Sequence, residues 1–374
     1  MIERAHLIKA HLSGYYTVSE LADRFGVSRR TVYRWTGRYS QGGVEALVDR
    51  SHARLTQAHR TTPALEGMLL DLRRAHPSWG PVKLLQVLAR QRPDLTLPAA
   101  STVGMLLTRH GLTQHRRPRR RPLHPGARPL QAEHPNEVWT TDFKGQFRTL
   151  DGRLCYPLTV CDAHSRFILD CHAMPAIRLS TTRRRFEHLF AEYGLPAAIR
   201  TDNGPPFASQ ALCGLSRLSV WWIKLGIRHQ RIEPGRPQQN GRHERMHRTL
   251  KAETTRPPEA NAARQQRRFD SWRDEFNTIR PHAALDGLTP ASRYAPSPRP
   301  AQPGALEPEY PAYFELRRVS GHGSIKWRGR ETFLSTALCG ETVALDEVDE
   351  GLWSVYFCDR LLARLDERAG LLIP

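Results

Sequence analysis

Apolar residues recur at helical spacing through the first third of the chain. Within residues 18–35, Leu21, Phe25, Val27, Val32 and Trp35 fall where two short helices would share an interior, with small Ala22 at their crossing and Gly26 at the turn. Ser28 is placed to cap the second helix, whose outer side then carries Arg29, Arg30, Thr31, Tyr33 and Arg34. Such a donor-rich face suits a reader of the DNA major groove, and an ordinary helical hairpin with a solvated basic face gives the same pattern. The periodicity returns over residues 65–72, 82–88 and 103–107. Ser78-Trp79-Gly80-Pro81 precedes the middle segment, and Ser101 or Thr102 is placed to cap the last, which stops at His110-Gly111. This predicts a second helix-turn-helix-like unit or a three-helix packing module.

From Pro135 the pattern shortens to that of strands. Glu137-Val138-Trp139-Thr140-Thr141-Asp142-Phe143 is followed by β-prone runs at 155–161 and 167–172, after turns at Asp151-Gly152 and His164-Ser165. A helix fits residues 182–193, ended by Gly194 and Pro196, and a strand over 197–201 runs into Asp202-Asn203-Gly204. After the loop Pro234-Gly235-Arg236-Pro237-Gln238-Gln239-Asn240 comes a polar helix over 241–254. Three strands, a helix, a strand and further helices predict a mixed α/β sheet. Near the end, short alternating segments at Ser324–Trp327, 331–334, 342–345, 353–357 and 361–365, broken by glycines, predict a small C-terminal β-barrel.

Two stretches read as linkers, one rich in arginine and proline and one in proline. The expected organisation is multidomain: all-α helix-turn-helix units at 1–55 and 60–113, a basic linker at 114–134, an α/β domain at 135–295, a proline-rich linker at 296–312 and the barrel at 313–374.

Charge sharpens this picture. Among 374 residues, 56 Lys+Arg stand against 37 Asp+Glu, a formal +19. Arginine outnumbers lysine 50 to 6, a skew that codon usage alone can produce, so the distribution matters more than the total. Residues 1–135 carry a net +13, residues 136–290 a net +8 and the remainder −2. A basic excess confined to one end is the footprint of a polyanion, which puts double-stranded DNA ahead of an anionic membrane as partner. Arg116, Arg117, Arg119, Arg120 and Arg121 form an arm tracking phosphates or a solvated spacer. In the barrel, Arg317, Arg318, Lys326, Arg328 and Arg330 precede an acidic second half, a division that fits contact with DNA and contact with protein equally. No run reaches membrane-span length and no signal-peptide pattern opens the chain. Six scattered cysteines without a CxxC pair argue against disulfides and structural zinc, and fit free thiols in a reducing cytoplasm.

The candidate chemistry lies in carboxylates where elements end. Asp142 closes the first strand of the α/β region, Asp202 closes the strand after its helix, and Glu244 sits early in the polar helix. Glu244, Arg248 and Lys251, spaced i, i+4 and i+7, share one helical face, a carboxylate beside a cation pair suited to a phosphate backbone. Hard oxygen donors of this kind suit Mg²⁺, and two such ions, ~3.5–4 Å apart, serve in-line phosphoryl transfer. Asp151 and Asp162 are most simply turn formers, and His243 and His247, flanking Glu244, contact DNA or are merely solvated.

The local strings are more telling than single acids. Trp139-Thr140-Thr141-Asp142-Phe143-Lys144-Gly145, Arg200-Thr201-Asp202-Asn203-Gly204-Pro205-Pro206-Phe207 and residues 237–251, with Pro281-His282 and Thr289-Pro290 downstream, strongly resemble the DDE transposases and retroviral-type integrases, specifically the bacterial insertion-sequence branch. The resemblance covers about residues 15–295. It implies an RNase H-like catalytic domain with a mixed five-stranded sheet, in which Asp142, Asp202 and Glu244 hold two Mg²⁺ ions, with Mn²⁺ as a substitute. It further implies cleavage that frees a 3′-hydroxyl at an element's end, attack of that hydroxyl on target DNA, a role for Asn203 in shaping the site, and DNA contact by Arg248 and Lys251. A homo-oligomer, at least a dimer, follows from the need to hold two DNA ends.

Two departures stand out. The 42-residue gap from Asp202 to Glu244 exceeds the family's usual spacing, with Leu215-Ser216-Arg217-Leu218-Ser219-Val220-Trp221-Trp222 expected to hold the extra residues and Glu233 as a competing third acid. The zinc module of retroviral integrases is missing, since His6 and His11 lack cysteine partners. The expected function is a cytoplasmic, nucleoid-associated transposase. The alternatives are a catalytically idle DNA-binding regulator of transposase descent and a structure-selective nuclease on the same fold.

Overall fold

The computed structural model describes residues 2–49, 61–113, 132–209, 212–233, 241–301 and 307–373. The loop at 234–240 and the five arginines at 116–121 lie outside them. The chain divides into two units, Met1–Leu65 and Glu66–Pro374.

In the first unit α1 (Ile2–Leu12), α2 (Val18–Arg24) and α3 (Arg29–Gly42) enclose Leu7, Ile8, Leu21, Ala22, Val32, Trp35 and Leu47. Thr17 and Glu20 form a reciprocal capping box at α2. The Ser28 hydroxyl accepts the Thr31 amide at the start of α3, and Gly26 makes the turn between them at φ +62°. With Val32 and Trp35 drawn inward, Arg29, Arg30, Tyr33 and Arg34 are left exposed, and Thr31 is half-buried against Ser28. The α1 helix was not foreseen. Its only strong apolar pair, Leu7-Ile8, is too short a signal for periodicity.

The boundary falls within α4 (Pro63–Ala75), and the second unit continues with α5 (Pro81–Gln91) and α6 (Ala100–Arg109), whose buried residues include Leu84, Val87, Leu88, Val103 and Leu107. Neither Ser101 nor Thr102 caps α6: the helix opens at Ala100, so both lie inside its first turn.

The sheet of this unit has β1 (Val138–Phe143), β3 (Leu154–Asp162), β4 (Ile168–Met174), β5 (Ala198–Thr201) and β6 (Arg228–Arg231) in the order β4-β3-β1-β5-β6, and two-residue β2 (Phe147–Arg148) pairs with the start of β3. The β1, β3 and β4 strands are antiparallel, whereas β5 and β6 run parallel to β1. Period-two alternation sorts the side chains. Trp139, Leu158, Val160 and Ile199 pack on one face against α7 (Leu179–Tyr193) and α8 (Arg217–Lys224). Cys155, Cys161 and Cys171 pack on the other against α9 (Gly241–Thr254) and α10 (Ala262–Thr278). Residues 215–222, expected to hold the extra residues, run into α8, whose Leu218, Trp221 and Trp222 are part of the core.

The C-terminal region is an open sheet. Its order is β13 (Leu371–Ile373), β12 (Arg360–Asp366), β11 (Leu352–Phe357), β10 (Thr342–Asp349) and β7 (Glu315–Arg318), all antiparallel. The separate hairpin of β8 (Ser324–Trp327) and β9 (Arg330–Phe333) brings Trp327 against Trp353 at 4.6 Å. Among the described residues β13 and β7 are the two edges, so the expected barrel does not close. Its apolar face also gathers Leu215, Val220 and Ile223 from around α8, and Lys224 pairs with Glu341 at 2.8 Å. All six cysteines are free, but only Cys155, Cys161 and Cys171 are buried.

Candidate active site

Strand register brings the first two carboxylates together. The parallel pairing of β1 with β5 sets Val138 beside Ala198 and Thr140 beside Arg200, two residues before Asp142 on β1 and before Asp202, which follows the end of β5. Neighbouring strands lie ~4.8 Å apart, and residues two positions on project from the same face. That face is covered by α9, whose His243, Met246, His247 and Leu250 turn inward. Glu244, Arg248 and Lys251 are left together on its exposed side, as the i, i+4, i+7 spacing requires.

Electrostatics supports the convergence. Burial, then the negative charge of Asp202 and more weakly of Glu244, pushes the Asp142 carboxyl up to about 7, partly opposed by the Phe143 amide and Lys144. Burial also raises Asp202, against the Gly204 amide, and Asp202 Oδ1 is buried without a hydrogen-bond partner. Crowded carboxylates with an orphaned oxygen are a donor set that a hard divalent cation would satisfy.

Behind Asp142 stands a polar chain that single-residue reading missed. The Thr159 hydroxyl lies 2.7 Å from His243 Nε2 and 2.6 Å from His247 Nε2, His243 Nδ1 lies 3.0 Å from the Thr140 hydroxyl, and His247 Nδ1 lies 3.6 Å from Asp142 Oδ2. Burial drives both imidazoles well below their usual range, His243 to about 3, so both are neutral. The Thr159 hydroxyl has one proton and three acceptors in reach, the two imidazole nitrogens and the Asp142 backbone carbonyl at 3.1 Å, so at least one of the two rings donates its Nε2–H to it. The Thr140 hydroxyl has the Cys161 carbonyl at 3.3 Å as a second acceptor. Asp142, His243 and His247 also offer one donor each within 4.8 Å, but Thr159 occupies an imidazole nitrogen on each ring. The chain therefore reads better as support for Asp142 than as a ligand set. The signal in the sequence was the i, i+4 pair of histidines astride Glu244.

The remaining expected residues are less concentrated. Asn203 donates its side-chain amide to the Ile232 carbonyl at 2.9 Å, tying the turn after β5 to the residue that follows β6. Glu233 is exposed, after β6. Asp151 accepts the Thr149 hydroxyl and the Arg153 amide as a turn former, and Asp162 accepts the Asn136 and Ser165 amides. Arg29, Arg30, Tyr33 and Arg34 belong to the first unit and stand on the exposed side of α3.

Comparison with known proteins follows the same divisions. Residues 132–237 and 225–290 match models of the integrase core domain, residues 3–54 a helix-turn-helix domain, residues 31–107 a homeodomain-like domain, and residues 314–370 the C-terminal domain of the IS481 family transposase. Together these matches support a DDE insertion-sequence transposase. An uncharacterized protein of insertion element IS476 from Xanthomonas euvesicatoria is 29% identical over 68% of this chain and 71% of its own length. One of insertion element IS407 from Burkholderia multivorans is 31% identical over 42% of the chain and 54% of its length. The Gag-Pol polyprotein of baboon endogenous virus is 30% identical over 35% of this chain, which spans only 7% of the polyprotein. Among solved structures, the HTLV-2 integrase catalytic core domain in complex with magnesium aligns over 44% of the chain and 100% of its own, at 17% identity and a TM-score of 0.36. The simian T-cell lymphotropic virus intasome aligns over 78% of the chain and 97% of its own, at 18% identity and a TM-score of 0.39. No helix among the described residues is long and apolar enough to cross a membrane.

Proposed function

We propose that the chain is an active transposase that binds the inverted ends of its own mobile element and catalyses divalent-metal-dependent cleavage and strand transfer. The observation that carries the reading is the parallel pairing of β1 with β5, whose C-terminal ends lead into Asp142 and Asp202, with the buried Asp202 Oδ1 left without a hydrogen-bond partner. In this reading Asp142, Asp202 and Glu244 hold Mg²⁺, or Mn²⁺ in its place. When bound, the metal would supply an activated attacking oxygen and charge neutralisation at the leaving oxygen. The protein's own part is positional. In this reading β1 and β5 carry the first two acids, α9 carries the third, and Thr159, bonded to the Asp142 carbonyl and both histidines, braces the strand that carries Asp142.

Arg248 and Lys251, on the same face as Glu244, are suited to grip the DNA backbone entering the site. Arg29, Arg30, Thr31, Tyr33 and Arg34 of α3 are assigned to reading the element ends in the major groove, and Arg116, Arg117, Arg119, Arg120 and Arg121 to phosphates along the way. The working form is a homo-oligomer on two DNA ends in the bacterial cytoplasm. The test is joining of a pre-cleaved element end into plasmid DNA with Mg²⁺. Wild type should give joined product, whereas Asp202→Asn and Glu244→Gln should give none while still binding end DNA. Equal product from wild type and Asp202→Asn would overturn the assignment.

A further inference from the structure

A cavity of about 250 Å³ opens beside the first turn of α9, on the sheet face shared with Asp142. Its wall brings together six cations from five places: Lys83 of α5, Arg166 of the β3–β4 turn, Arg200 of β5, Arg242 and Arg245 of α9, and Arg280 after α10. Only Arg280 has a carboxylate partner, Glu253 at 2.9 Å. Among the described residues no carboxylate forms an ion pair with the other five. Asp162 lines the cavity too, but its oxygens are occupied by the Asn136 and Ser165 amides at 2.8 and 2.7 Å and the Ser165 hydroxyl at 2.6 Å.

The polar bonds these cations do make are to neutral groups. Arg200 bonds to the Gln230 side chain, Arg242 to the Ala163 carbonyl and Arg245 to the Gly241 carbonyl. The mutual strain is visible in their protonation. Burial, then Arg280, brings Lys83 down to about 8 against the pull of Glu253, and burial with Arg242 and Arg245 lowers Arg166. His282, also on the wall, falls to about 4 through burial, Lys83, Arg280 and Arg166, so it is neutral. Its Nε2 is buried without a partner. The backbone amides that open α9 add their partial positive charge.

Five cations around a cavity whose lining holds one carboxylate, Asp162, and none in an ion pair with them among the described residues, cost stability unless an anion fills it. The volume lies below the ~300–1,000 Å³ of pockets that enclose whole drug-sized ligands, and fits a phosphate or pyrophosphate group. We propose that this cavity is a phosphate-binding site, whose occupant fastens α5 to the integrase core through Lys83 on one side and Arg166, Arg200, Arg242 and Arg245 on the other. The phosphate group comes either from free phosphate or pyrophosphate or from one point on a DNA strand.

The experiment uses the full chain, with pyrophosphate as probe and chloride at matched ionic strength as control. Wild type should bind pyrophosphate saturably by calorimetry and melt higher with it. Lys83→Met and Arg166→Gln should each weaken that binding about tenfold. Both should also melt higher than wild type in chloride, since each relieves repulsion, an outcome that a merely structural role for the side chain would not give. A duplex arm assigns the source. If the phosphate belongs to DNA, pyrophosphate displaces the duplex and both variants flatten the salt dependence of its binding. If it is free phosphate, duplex binding is unchanged and the site stands as a small-anion site. The same rise in melting temperature for wild type and both variants, or no saturable binding at millimolar pyrophosphate, would overturn the proposal.

Discussion

Replacing Asp142 by asparagine should stabilise the metal-free protein, and the gain should depend on pH. The wild-type carboxyl moves from its ordinary 3.8 to about 7 in the folded chain. A folded pKa above the unfolded one means that the folded state keeps the proton longer. The cost of ionisation is therefore absent below about pH 4, grows as pH rises toward 7, and is complete above it. Three units at ~1.36 kcal/mol each give ~4 kcal/mol as an upper value. The side chain is 20% exposed, so solvent screens part of this and about 2–3 kcal/mol is the reasonable expectation. Asparagine keeps the shape without the charge. In chelator at pH 8, Asp142→Asn should melt several degrees above wild type, at ~2–4 °C per kcal/mol for a unit of this size. At pH 4 the two should melt together. Added Mg²⁺ should reverse the order at pH 8, because only wild type gains a ligand for its ionised carboxylates. Thermal melts followed by circular dichroism decide the matter. If Asp142→Asn is no more stable at pH 8 in chelator, or if its gain is equal at pH 4 and pH 8, the three acids do not crowd one another and the reasoning fails.

Thr159→Val removes the hydroxyl shared by His243 and His247 and leaves buried ring nitrogens unpaired, at about 1–3 kcal/mol in melts and a ~10–100-fold loss of Mg²⁺ affinity by titration calorimetry. Arg185 holds the fully buried Asp170 through two bonds of 2.6 and 2.7 Å, so Arg185→Leu should cost about 3–5 kcal/mol in urea unfolding, whereas a cost under ~1 kcal/mol would mean that the pair is solvated. Trp222→Ala in α8 should cost about 3–5 kcal/mol in the same assay, and a cost under ~1 kcal/mol would mean that α8 is not part of the core. Arg30→Ala and Arg34→Ala should each lower the salt dependence of end-DNA binding by about one ion without moving the melting temperature, as fluorescence anisotropy across a salt series would show.

What was legible in the sequence was set by local rules. Ser28 and Gly26 announced the turn into α3, Gly194 announced the end of α7, and the β-prone run through 137–143 announced β1, because caps, left-handed turns and strand propensity act over a few residues. What escaped depends on the third dimension. The string around Trp221 and Trp222 reads as surplus when spacing between acids is the only ruler. Folded, it is the helix that fills one face of the sheet, where aromatic bulk and not spacing is required. The C-terminal strands were visible singly, yet closure is a property of β7 and β13 as edges, and no single strand records what its neighbour will be.

The active-site histidines make the same point more sharply. As letters beside Glu244 they are as consistent with solvent as with DNA. Only when β3 lays Thr159 across the sheet from Asp142 do they acquire a shared partner and become neutral and buried. The acids are legible because metal chemistry restricts their type and place. Their support is not, because a hydroxyl between two imidazoles can be supplied from any strand that passes. The cations of the α9 cavity show the same limit: Lys83 and Arg245 lie more than a hundred residues apart, and their charge becomes a site only where α5 is set against the core.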